Sequence, residues 1–243
     1  MREIELTEFN VNEPYFYDAK EGSLTDFSFD SLDSKSMAME LTKLSTMLHH
    51  NLNIREFLSK SWNKKTSHEL APSIMKIIDN FNKTTILIQT SILYFEKLIK
   101  RASIIEYWLE VANHLSTLRN YNVMLMIHTA FAANCIYRLK KTWDKVSKKH
   151  KEIKTKIAKL CSPNGNYSNL RAEYQKEKSL PYLGSYLSEF MYIDEFGKLF
   201  QNENYVELRH MRSMSRVLRS ISKSMNYDPK PTKPEIDIVS YFL

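Results

Sequence analysis

The stretch Ile136–Leu160, IYRLKKTWDKVSKKHKEIKTKIAKL, decides how the chain is read. Its apolar positions are Ile136, Leu139, Trp143, Val146, Ile153, Ile157 and Leu160, with His150 as a partial member. They recur at alternating intervals of three and four, which predicts one unbroken amphipathic helix. Lysines crowd the opposite face. Immediately upstream, Val123–Ala133 (VMLMIHTAFAA) is apolar almost throughout and predicts a helix buried on all sides. A buried helix therefore feeds a long basic one.

Working outward, the same spacing recurs. Met37, Leu41, Leu44 and Leu48 form one face of a helix opening near Asp33 or Ser34. Ile74, Ile77, Ile78 and Phe81 form another, after a first-turn Pro72. Lys83–Phe95 (KTTILIQTSILYF) is β-branched enough to read as a strand, but its length and helical neighbours favour helix. Ile99, Ala102, Ile105, Leu109, Ala112 and Leu115 mark the next helix. Residues 161–169 read as a loop, 170–178 as a short helix and 193–204 as loop again. Tyr205–Met225 is the last long helix, and the apolar end Ile236–Leu243 is expected to dock back on the body. Only four glycines and seven prolines, with 43% hydrophobic residues, fit an all-α fold.

Charge is unevenly spread. The chain carries +7, yet residues 1–33 hold nine acids against two bases, a balance of −7 that leaves +14 on the remainder. This separates an acidic segment, 1–32, from a helical domain, 33–243. The acidic segment is expected to lie across the basic body as a cover. A basic body fits a nucleic acid, an anionic membrane or an acidic protein patch, and a lysine face also fits plain solvation. No stacking aromatics interleave with the lysines, and no base-reading residues open a helix, so nucleic acid is the weaker partner.

Catalytic signatures are absent. There is no GxGxxG, GxxxxGK[ST], GxSxG, HExxH or CxxC. No metal site is expected. His128 reads as a core histidine, and Cys135 and Cys161 as small fillers rather than a disulfide pair. No run reaches the ~18 apolar residues of a membrane span, and the first ten residues lack a signal-peptide core, so a cytoplasmic protein is expected.

Six collinear segments carry a family resemblance. DSKSMAMELTKL (33–44), SWNKK (61–65), APSIMKIIDNFNK (71–83), LRNYNVMLMI (118–127), YRLKKTWDK (137–145) and LPYLGSYLSEFMYIDE (180–195) occur in the right order. Together with the ending YDPKPTKPEIDIVSYFL, they resemble the catalytic domain of Ras-family guanine-nucleotide exchange factors, the Son of sevenless module. The resemblance implies a single all-helical domain with a protruding helical hairpin at about 134–162. It also implies a turn at Ser147, so that the stripe serves two antiparallel arms facing each other.

What the resemblance implies about function is specific. The domain opens the nucleotide site of a Ras-subfamily GTPase (Ras, Rap or Ral type) and promotes GDP release, without covalent chemistry and without a cofactor. Leu139 becomes the apolar group intruding where the GTPase holds Mg²⁺, Asp144 the acid near its phosphate-binding loop, and Trp143 the support of that wedge. Met37, Ser73, Asn120, Tyr121, Asn122, Phe131 and Arg138 become GTPase-binding residues. For Met37, Tyr121 and Phe131 core packing is an equal reading. Departures from the family pattern occur at Ser34, Met39, Ser73, Ala132–Cys135 and His210–Arg212. No counterpart of the family's N-terminal stabilising domain is seen in 1–32, so either the chain is a fragment or its hairpin supports itself. A monomer is expected. The alternatives are a family-like scaffold that binds a GTPase without exchange, or a basic module for nucleic acid or membrane. The Asn-, Lys- and Ile-rich composition raises a bacterial effector delivered to a host cytosol as one source.

Overall fold

The computed structural model of the chain describes residues 33–198 and 208–228. The acidic segment 1–32 and the apolar end 236–243 lie outside the described residues. Among those described, the structure is all-α, with one isolated parallel bridge between Asn120 and Leu180.

The helices are α1 (Ser34–His50), α2 (Ile54–Ser59), α3 (Ser67–Leu70), α4 (Pro72–Leu93), α5 (Leu98–Thr117), α6 (Tyr121–Ala132), α7 (Asn134–Tyr137), α8 (Lys140–Lys145), α9 (Lys148–Leu160), α10 (Asn164–Lys176), α11 (Leu183–Lys198) and α12 (Leu208–Met225). The β-branched run after Lys83 is the second half of α4. Thr84, Ile88 and Ile92 repeat every four residues and are buried, while Ile86 and Leu93 face solvent. Helical burial overrides strand propensity here.

The centre of the body is α5, which packs on α1, α4, α6, α8 and α9. Its Trp108 is fully buried and donates its indole N–H to Ser91 Oγ on α4 at 2.9 Å. Residues Tyr121–Ile127 of α6 are all buried, as the apolar run predicts. Its start is fixed twice. Asn120 Oδ1 accepts from the Val123 amide at 3.2 Å, and the Tyr121 and Asn122 amides donate to Leu180 O at 2.9 and 3.2 Å. The chain around Leu180 thus straps the N-terminus of α6.

Three local readings are corrected. The 161–169 loop is largely α10, which opens on a left-handed turn at Gly165, Asn166 and Tyr167. Asn166 pins that turn by donating to Ser185 O at 2.9 Å. The loop expected from residue 193 is helical to Lys198, because Phe190 is buried against Phe57 and Asp194 pairs with Lys60. The single helix that the spacing predicts over 136–160 is instead three helices: the break at Val146–Ser147 falls at the turn the resemblance implies, and a further break at Leu139 is new.

Candidate functional site

The break at Leu139 begins with the short α7. Leu139 leaves the helical region (φ −73°, ψ 54°) and opens α8. Trp143, one turn further, donates its indole N–H back to Ile136 O at 3.0 Å. Its ring meets Phe131 edge-on, with centroids 5.6 Å apart. Phe131 is buried at the end of α6, so α8 is anchored to the most apolar helix in the chain. Thr142 Oγ1 accepts from Arg101 Nε at 3.3 Å, and Arg101 also donates to Phe95 O and Glu96 O. One guanidinium therefore ties the α4–α5 connection to α8.

The second break, at Val146–Ser147, is held by α5. The Ser147 amide donates to Glu106 Oε1 at 2.7 Å. Ser147 does not cap α9 with its side chain; its Oγ pairs with His150 Nδ1 at 2.6 Å. His150 Nε2 lies 3.1 Å from Glu110 Oε1, and Lys149 Nζ reaches the same oxygen at 2.6 Å. The hydrogen bond from Lys149 leads the effects that hold the Glu110 carboxyl below its ordinary range.

The two arms meet less than the stripe implies. Both α8 and α9 lie on α5. The inward residues are Thr142, Val146, Ile153, Ile157 and Cys161, whereas Leu139 and Trp143 are half-exposed. Across the arms, Lys154 Nζ sits 3.6 Å from the Trp143 ring centroid, a cation–π contact. Burial pulls the Lys154 pKa down, and burial, then the Lys154 charge, pulls down that of His128.

The result is a ridge with an apolar and an acidic group outward. Leu139 is half-exposed, and Arg138 and Asp144 are exposed. Among the described residues only the Asp144 backbone carbonyl is engaged, by Lys151 at 3.3 Å, and no ion pair holds its carboxylate.

The other residues expected to bind a partner lie elsewhere. Met37 is wholly buried in α1, and Asn120 Nδ2 donates inward to Thr42 Oγ1 at 3.1 Å. Tyr121 is buried against Tyr174. Asn122 is 1% exposed, and neither amide atom of its side chain has a hydrogen-bond partner among the described residues. Ser73 turns to Glu56, which accepts from the Ser73 amide and hydroxyl and from the Ile74 amide. Arg101, Glu106, Glu110 and the full role of His150 are absent from the sequence reading. The i, i+4 spacing of Glu106 and Glu110 was the available signal, but their partners lie about forty residues away.

The RasGEF domain family matches residues 36–216, and the chain belongs to it. Similar proteins are named as Ras-specific guanine nucleotide-releasing factors. Ras-specific guanine nucleotide-releasing factor 2 of Rattus norvegicus is 35% identical over 79% of this chain. Factor 1 of Mus musculus is 34% identical over 84%. Ras-specific guanine nucleotide-releasing factor RalGPS1 of Mus musculus is 28% identical over 90% of this chain and 40% of its own length. The chain spans 16% of the rat protein and 17% of the mouse factor 1. These relatives lend no support to a bacterial effector. No helix among the described residues is long and apolar enough to cross a membrane.

Proposed function

We propose that this chain is a guanine-nucleotide exchange domain for a Ras-type small GTPase, Ras or Ral among them. Family membership over 36–216 carries the reading. The relatives' names supply the substrate class, as releasing factors specific for Ras. In this reading the domain occupies 33–243 and the hairpin 134–162, it works as a monomer in the cytoplasm, and nucleic acid is not its partner.

The mechanism follows from what holds the nucleotide. A GTPase grips GDP through Mg²⁺ and contacts to the phosphates. Leu139, apolar and half-exposed, takes the place of the metal's hydration and coordination space. Asp144, exposed and without an ion pair among the described residues, brings negative charge near the phosphate-binding loop, where an anion was held. Trp143 keeps both in position through Phe131 and Ile136. No bond in the nucleotide is made or broken, so the domain lowers the barrier to release of GDP and GTP alike. The partner-binding role of Asn122 comes from the family resemblance; its amide is 1% exposed and has no hydrogen-bond partner among the described residues, which costs about 1–3 kcal/mol.

Release of fluorescent GDP from purified Ras, Rap, Ral and Rho-type GTPases tests the proposal. Acceleration on a Ras-type member is expected, with Rho unaffected. Stable binding with no acceleration on any of them would replace exchange by a scaffold role.

A further inference from the structure

Helix α12 carries a second surface with chemistry of its own. Its exposed basic residues are Arg209, Arg212, Arg216, Arg219 and Lys223, spaced 3, 4, 3 and 4 apart. At 100° per residue these fall within one narrow arc, and at ~1.5 Å per residue they span about 21 Å in a line. The helix contains no acid, and none of the five makes an ion pair or hydrogen bond through its side chain among the described residues. Val217, Ile221 and Ser224, on the opposite arc, are buried and hold α12 to α11 and α1. The stripe therefore faces outward on a fixed support.

Three of the hairpin lysines are engaged instead, which interrupts that surface. Lys149 is paired with Glu110, Lys151 with the Asp144 carbonyl, and Lys154 with Trp143. Density of charge alone does not single out α12; the unbroken, unpaired and arginine-dominated line does. Guanidinium groups suit phosphate oxygens, which they meet with paired donors.

Two further residues choose among phosphate-bearing partners. Leu208 is 64% exposed and Met211 53% exposed, both on the flank of the basic arc at one end of the helix. Exposed aliphatic groups beside a basic arc fit the headgroup–acyl boundary of a bilayer. The helix has no Phe, Tyr or Trp to stack on bases, which single-stranded nucleic acid binding uses.

We propose that the outward face of α12 docks on an anionic phospholipid surface, with Arg212, Arg216 and Arg219 on lipid phosphates and Leu208 and Met211 at the acyl boundary. This surface is separate from the Leu139–Asp144 ridge and stands or falls independently of the exchange reading. Attraction of each basic residue to an anionic leaflet adds along the stripe and weakens with salt.

The test is co-sedimentation of the full chain with vesicles of phosphatidylcholine alone or with about a quarter phosphatidylserine, a leaflet-like anionic charge. Binding to the anionic vesicles only is expected. Arg212→Glu/Arg216→Glu/Arg219→Glu should weaken it at least about tenfold, while the circular dichroism spectrum and solution GDP release stay unchanged. A matched hairpin variant, Lys148→Glu/Lys156→Glu/Lys159→Glu, should bind within about twofold of the parent, since it changes the net charge equally. Leu208→Ser/Met211→Ser should bind more weakly at high salt, where insertion outlasts charge attraction. Equal loss in both charge-reversal variants, no binding to either vesicle, or tighter binding to a short RNA or DNA than to the vesicles would overturn the proposal.

Discussion

Trp143 stands edge-on to Phe131 at 5.6 Å and 87°, which couples the exposed ridge to the buried helix α6. The contact gives the ridge its position, since α8 has only six residues and is too short to hold its own shape. Phe131→Ala should cost ~3–5 kcal/mol by leaving a cavity under the indole. Trp143→Phe keeps most of the packing but loses the hydrogen bond to Ile136 O, at about 1 kcal/mol. Thermal unfolding of the two variants checks the order; a larger loss for Trp143→Phe would mean the indole N–H, not the ring pair, anchors α8.

The wedge residues should separate activity from stability. Leu139→Ala and Asp144→Ala remove groups that touch solvent, so the melting temperature should stay nearly unchanged. Each should slow GDP release on the order of tenfold, about 1.4 kcal/mol of barrier. Unfolding of either variant would make that position part of the core and end its proposed role.

Asn122 tests whether a structural cost is kept for a partner. Replacing its unpaired amide by an apolar side chain, Asn122→Leu, should raise stability by about 1 kcal/mol. Release should slow at the same time, the expected trade where a site holds a strained group. Denaturant unfolding beside GDP release checks both arms. A stabilised variant with parental activity would show that the amide serves no partner.

The clamp between α5 and the Val146–Ser147 turn is local. Glu106→Gln/Glu110→Gln weakens the pairing with Ser147, His150 and Lys149. Amide hydrogen exchange should then quicken at Ser147–Lys151, with little change in α6. The partly exposed acids make the global effect small, within ~1 kcal/mol. Protection unchanged at 147–151 would show that packing of Val146 and Ile153 alone holds the turn.

His49 sets a pH dependence. It is fully buried, and burial pulls its pKa below the ordinary 6.5, against hydrogen bonds to Ser45 O and Pro181 O that raise it. Burial acts in the same direction on His128. The unfolded chain takes up these protons near pH 6.5 while the folded chain resists them. The contribution to stability is therefore full above pH 6.5 and is lost as pH falls below it. Melting temperature should fall on acidification through that range, and His49→Gln should flatten the slope. An identical slope in the variant would assign the dependence to other groups.

The sequence was most legible where apolar spacing decides structure. The buried face of α1, the helical reading of the β-branched run in α4 and the burial of the first two turns of α6 are each written in residues that contact their own element's neighbours, whereas Thr129 and Ala132 near its end are exposed. The candidate site was less legible. Spacing does not say that Met37, Asn120, Tyr121, Asn122 and Phe131 are all buried while Leu139 and Asp144 reach solvent. Glu56 shows why: it caps the first turn of α4 from α2, and turns Ser73 inward, through a contact 17 residues away.

The opening stretch divides along the same line. By itself, Ile136–Leu160 determined that Ile136, Val146, Ile153 and Ile157 would be buried and every lysine but Lys154 outward, because a helical period is a local property. The turn at Ser147 came with the family resemblance, and only the tertiary structure decided that the helix also breaks at Leu139 and that Leu139 stands outward beside Asp144 on the ridge. Each break frees backbone groups that must be satisfied. Trp143 satisfies one at Ile136, and Glu106 satisfies another at Ser147 from a helix 41 residues away, beyond the reach of any local pattern.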